Sequence, residues 1–112
     1  MNRDIGPLLG DILESIEQIE MYCHAIDDSR FKQDKQIQDA VIRRFEIIGE
    51  AARHIPESFR NQHSVIPWQD VIGMRDILIH GYFGIELERI WLTIQNDIAP
   101  LKKQIILLQQ SL

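Results

Sequence analysis

The chain has 112 residues, 45% of them hydrophobic and 26% charged, which suits a folded globular protein and excludes an intrinsically disordered one. The formal charge of −5 argues against a general nucleic-acid binder, and the single cysteine, Cys23, excludes an intramolecular disulfide framework. Uninterrupted apolar runs are too short to span a membrane, and acids scattered through the first twenty residues do not read as a signal peptide, so a cytoplasmic protein of one domain, residues 1–112, is expected.

Apolar residues recur in steps of three and four nearly throughout, and no period-two stretch of useful length occurs. The first predicted helix carries Ile5, Leu8, Leu9, Ile12, Ile16, Ile19, Cys23 and Ile26 on one face and Asp11, Glu14, Glu17 and Glu20 on the other. "DDSRFKQD" breaks this pattern, and Asp34 is placed to cap a second helix carrying Ile37, Val41, Phe45, Ile48, Ala52 and Ile55. Ile42 and Ile47 lie off that stripe, and a second apolar face on one helix suggests a homodimer interface. Pro56 stops the helix, and "PESFRNQHSVIP" reads as a connector with room for one turn. Pro67 suits the first turn of a third helix, "PWQDVIGMRDILIH", with Gly81 placed to end it. Gly84 precedes a fourth helix whose first turn holds Glu86 and Glu88, where the helix dipole favours acids. Its stripe runs through Ile90, Trp91, Ile94, Ile98, Leu101, Ile105 and Leu108, and Pro100 predicts a kink or a fresh start. The fold class is all-α, an up-and-down bundle of four main helices.

Charge is unevenly spread. Residues 30–60 hold seven bases and five acids, a net +2, which leaves −7 for the rest. Such a stripe is compatible with RNA binding, although a solvated helix face explains it as well. Arg43 and Arg44 are candidate RNA-phosphate contacts from this stripe. Glu46 and Glu50 are one turn apart beside them, either supporting a site or forming an ordinary charged face. His24, His54 and His63 lack metal-ligand spacing, so no metal site is expected. Trp68 and Trp91 fall on apolar stripes and read as core.

The stretch "RDILIHGY", residues 75–82, is where a core helix stops and polar groups gather. Arg75 and His80 differ by about 140° around a regular helix, so they do not share one face. Residue by residue, solvent exposure of Arg75 and C-terminal capping by His80 account for them. Taken together they suit metal-independent phosphodiester chemistry. An arginine fork matches phosphate oxygens, a histidine moves protons near neutral pH, and Asp76 can orient a base. One such histidine is too few for a base and an acid. Two copies related by a twofold axis would supply both.

The motif R-x4-H-x-Y formed by Arg75, His80 and Tyr82 resembles the signature of the HepT toxins, a branch of the HEPN superfamily. "GDILESIEQIEMY", "QDAVIRRFEIIGEAARHIP" and "IPWQDVIGMRDILIHGYFGIELERIWLTIQNDIAPLKKQI" are similar to that family in order and spacing, so the likeness covers nearly the whole chain. The resemblance implies a helical homodimer whose two R-x4-H motifs line one cleft and cut RNA without a metal or other cofactor. It assigns catalysis to Arg75 and His80, support to Asp76, and to Tyr82 the role of AMP acceptor. The partner it implies is an MntA-like minimal nucleotidyltransferase antitoxin that uses ATP and magnesium. A different expectation is a non-catalytic helical dimer that docks the nucleotidyltransferase and binds nucleotide or RNA. The intact Arg75–His80 pair favours the enzyme, and the negative net charge favours the docking module.

Overall fold

A computed structural model describes residues 4–76 and 87–112. Among these, seven helices form an all-α bundle around one apolar core.

Helix α1 (Ile5–Tyr22) buries Ile5, Leu9, Ile12, Ile16 and Ile19, the stripe its periodicity predicts. Ala25, at a left-handed φ of 61°, lies in the turn that follows it. Helix α2 (Asp28–Gln33) occupies the stretch expected only to break the pattern. Asp27 accepts a 2.8 Å hydrogen bond from the Arg30 backbone N–H, and Phe31 is the residue this short helix buries. The Phe31 ring lies 5.3 Å from that of Trp91, and Lys32 ion-pairs with both Asp28 and Glu88. Contact with Glu88 first, then Asp28, raises the Lys32 pKa.

Helix α3 (Lys35–His54) starts as predicted, with the Asp34 carboxylate accepting a 3.1 Å hydrogen bond from Ile37 N–H. That bond, and then the Arg30 side chain, hold the Asp34 carboxyl below its ordinary pKa. Val41, Phe45, Ile48 and Ala52 are buried, and α3 makes its most extensive contact with α1. Ile42 and Ile47 do not share a second face, because five residues correspond to about 140°. Ile42 packs against the common core, while Ile47 lines a surface groove beside Leu8.

The connector after Pro56 holds α4 (Glu57–Gln62), which buries Phe59. The third predicted helix is interrupted. Helix α5 (Trp68–Ile72) ends at Gly73, and helical geometry resumes at Met74–Asp76. Gly73 N–H donates to the Gln69 carbonyl at 2.9 Å, and Asp76 N–H donates to the Gly73 carbonyl at 2.9 Å, a tighter three-residue spacing. A Cβ on Gly73 would stand 3.1 Å from the Gln69 oxygen, so a side chain fits poorly at this break. The expected helix end at Gly81, and Glu86, lie outside the described residues.

The fourth predicted helix divides as Pro100 suggested. Helix α6 (Leu87–Asn96) gives way to α7 (Ile98–Ser111), with Pro100 at the third position, where a backbone N–H has no helical partner to lose. Trp91, Ile94, Leu101, Ile105 and Leu108 are buried as the stripe predicts, and so is Trp68. Lys102, early in α7, holds Glu20, late in α1, at 2.8 Å. Cys23 is half-buried, and desolvation pushes its thiol up to about 11. No described helix is long and apolar enough to cross a membrane.

Candidate active site

Arg75 owes its position to the segment before it. Trp68 is buried and donates its indole N–H to the His63 carbonyl at 3.0 Å, and Val71 and Met74 are buried on either side of the Gly73 break. With Met74 turned into the core, the next residue emerges alongside α3. There the two backbones come unusually close at Gly49. A Cβ built on Gly49 would lie 2.9 Å from the Ile72 carbonyl oxygen and 3.0 Å from both the backbone nitrogen and Cβ of Arg75. Only a residue without a side chain allows that approach unless the neighbouring backbone shifts.

One residue along α3, Glu50 meets the arginine directly. Its Oε1 lies 2.5 Å from Arg75 Nη1, with the two side chains 40% and 38% exposed. The second carboxylate oxygen of Glu50 lies 3.5 Å from Arg53 Nη2, so one acid bridges two guanidinium groups. Arg75 uses one terminal nitrogen in the contact with Glu50. A guanidinium has further donors, in a planar fork suited to a phosphate.

Arg75 forms one wall of a groove of about 540 Å³ that crosses the outer face of α3. Leu8 and Asp11 of α1 form another wall, and Arg43, Glu46, Ile47, Glu50 and His54 of α3 contribute to the lining. Arg43 and Glu46 pair with each other along the helix. The lining therefore mixes three carboxylates with two guanidiniums, and the His54 imidazole stands at the end of α3. Arg44 does not line the groove. It is half-buried, and its Nε has no hydrogen-bond partner among the described residues. Asp76 is exposed and is likewise not part of the lining. His80 and Tyr82 lie outside the described residues. A second groove of about 550 Å³ runs between α5 and the α6–α7 pair, with Arg89, Asp97 and Gln104 in its walls, and Arg75 does not line it. Among the described residues, no three His, Cys, Asp or Glu side chains gather where they could hold a metal ion.

A family model described as "Ribonuclease HepT-like" matches residues 12–108. The chain belongs to the HepT-like ribonuclease family. This HepT-like chain is 46% identical over 102 residues to "Probable ribonuclease HepT" of Thermococcus cleftensis, an alignment covering 91% of this chain and 93% of that one. It is 42% identical over 103 residues to a "Putative RNase" of Methanocaldococcus jannaschii, covering 92% and 94%. A third relative, "Gamma-glutamylcyclotransferase and putative RNase" of the same organism, is 45% identical over 112 residues. That alignment takes in the whole of this HepT-like chain but only 50% of the relative's length. No solved structure matches the chain.

Of the residues singled out in the sequence, the fold brings together Arg75, Arg43, Glu46 and Glu50, and leaves Arg44 and Asp76 aside. Sequence reasoning passed over Gly49 and read His54 only as a histidine without metal-ligand spacing. The signal for Gly49 was a glycine inside a helix whose other residues favour helix, since such a glycine needs a packing reason.

Proposed function

We propose that this chain is a metal-independent endoribonuclease, the toxin of a toxin–antitoxin pair, with a site completed by two subunits. Two things support this reading. The family match runs through Arg75, His80 and Tyr82, and the Arg75 side chain opens onto a groove instead of the core. In this scheme a ribose 2′-OH attacks the adjacent phosphorus. His80 of one subunit takes the 2′-OH proton, and its counterpart in the second copy protonates the departing 5′ oxygen. Arg75 donates hydrogen bonds to the phosphoryl oxygens, on which negative charge grows. Asp76 supports the pair, and Arg43, which lines the groove, is the candidate contact to a neighbouring phosphate.

Silencing follows from Tyr82. Its hydroxyl oxygen attacks the α-phosphorus of ATP held by a minimal nucleotidyltransferase antitoxin. Pyrophosphate leaves, the phenolic proton is released, and AMP stays on the tyrosine. The added phosphate repels RNA near Arg75, and the adenosine fills space.

The test uses the purified full chain and a single-stranded RNA. Cleavage is expected in the presence of chelator, and light scattering is expected to give twice the 13.1 kDa chain mass. Incubation with the nucleotidyltransferase, ATP and magnesium should add AMP to a peptide containing Tyr82 and stop cleavage, with no such addition to Tyr82→Phe. A dimer that accepts AMP but never cuts RNA would instead be the non-catalytic docking module. A monomer that cuts RNA would remove the two-subunit site.

A further inference from the structure

Gly49 and Glu50 are adjacent in α3, and both meet the same residue from another part of the chain. Gly49 has no Cβ where one would stand 3.0 Å from Arg75 N and Cβ, and so sets how closely the Arg75 backbone can approach α3. Glu50 holds one terminal nitrogen of the Arg75 guanidinium at 2.5 Å, and so sets where the fork points. Distance and direction together define the position of a long side chain. Arginine otherwise spreads over many rotamers, and a side chain that must meet a transferring phosphoryl group gains from being held in place beforehand.

We infer that Gly49 and Glu50 are positioning residues for Arg75: the glycine seats its backbone against α3, and the carboxylate aims its guanidinium into the groove. The inference rests on the reading of Arg75 as the phosphate-binding arginine of a ribonuclease. It assigns a task to the "GE" of "FEIIGEA", which lies outside R-x4-H-x-Y. It also explains an otherwise adverse feature, an acid beside a group meant to meet polyanionic RNA. Glu50 touches one arm of the fork, and its charge is offset by Arg53 on the other carboxylate oxygen. The carboxylate thus orients Arg75 at a reduced penalty to an approaching phosphate.

The variants are Glu50→Gln, Glu50→Asp and Gly49→Ala in the full chain, with Glu17→Gln on the outer face of α1 as a charge control. Aim lost from a transition-state contact lowers kcat and leaves KM nearly unchanged. Glu50→Gln should lower kcat about 10- to 100-fold. Glu50→Asp, which keeps the charge on a shorter stem, should recover part of that loss, and Glu17→Gln should match the wild type. Gly49→Ala should lower kcat similarly while helical circular dichroism persists. If it does not fold, the two Glu50 variants carry the test. Nitrogen-detected NMR of the arginine side chains gives a readout without catalysis. Hindered rotation of the Arg75 terminal nitrogens is expected in the wild type and should be lost in Glu50→Gln. An unchanged kcat in Glu50→Gln overturns the inference. So does a lowered KM with kcat kept, which would make Glu50 a competitor of RNA. If the wild type cuts no RNA, the ribonuclease reading fails, and the NMR result alone then says whether Glu50 holds the arginine.

Discussion

Arg75→Ala is expected to leave the fold nearly untouched and to remove activity, and the structure sets the size of both effects. The Arg75–Glu50 pair is short, but its side chains are 38% and 40% exposed, so water and salt screen it. Exposed pairs of this kind contribute at most about 1 kcal/mol. Truncation at Cβ keeps the close contact with Gly49 and leaves Glu50 its second partner, Arg53. For a domain of this size the thermal midpoint should therefore fall by no more than about 4–8 °C. The catalytic loss is on another scale. Removing one donor to a developing oxyanion typically costs about 10²–10³-fold in rate, or roughly 2.7–4 kcal/mol. Arg75→Lys keeps the charge without the fork and should fall between. The assay pairs cleavage of a fluorophore–quencher RNA in chelator with thermal circular dichroism on the same sample. A folded Arg75→Ala that cuts within a few-fold of wild type would refute the catalytic assignment. A midpoint lowered by some 15 °C or more, on the same scale, would show instead that Arg75 holds the fold together.

Other outcomes follow from the same geometry. His80→Ala should lose about 10²–10⁴-fold in cleavage, the usual worth of a general acid or base, with its circular dichroism spectrum unchanged. Phe31→Ala empties a fully buried site against Trp91 and should cost about 3–5 kcal/mol, read as a lowered urea midpoint, while Phe31→Leu should cost less. The Asp34 carboxyl titrates below its ordinary value of 3.8 in the folded chain, so its charge stabilises the fold above that value and ceases to do so as pH falls through the lowered one. Asp34→Asn retains a capping side chain without the charge. Its thermal midpoint should trail the wild type at neutral pH and converge with it under acid, and a gap that widens under acid would reverse the assignment.

The buried stripes of α1, α3, α6 and α7 were legible in the sequence because each is long enough for a three-and-four spacing to repeat several times. Two helix starts were legible as well, from Asp34 capping α3 and from Pro100 in the first turn of α7, since each acts within one turn of its own position. Helix α2 was not, because six residues that bury one phenylalanine have no period to display. The break at Gly73 was hidden for the opposite reason: the apolar residues on both sides keep helical spacing across it. Ile42 and Ile47 looked like one extra face until their angular separation was set against the packing, which sends one to the core and the other to the groove. The motif itself could be read directly, and Glu50 could be read as one of two acids that support a site or form a charged face, but its pairing with Arg75 could not. The residues Glu50 and Arg75 are far apart in the chain, and nothing local to either announces the other.

The half-burial of Cys23 has a practical consequence. With its thiol pushed up to about 11 from an ordinary 9.0, the reactive thiolate fraction near neutral pH is about a hundredfold below that of a free cysteine. It is also the only cysteine in the chain. The 112-residue chain is thus already a quiet background for maleimide chemistry. A cysteine introduced at exposed Glu46, on the groove, would take a fluorophore or spin label well before Cys23 does. Such a label could report RNA entering the groove without any prior substitution of the native thiol.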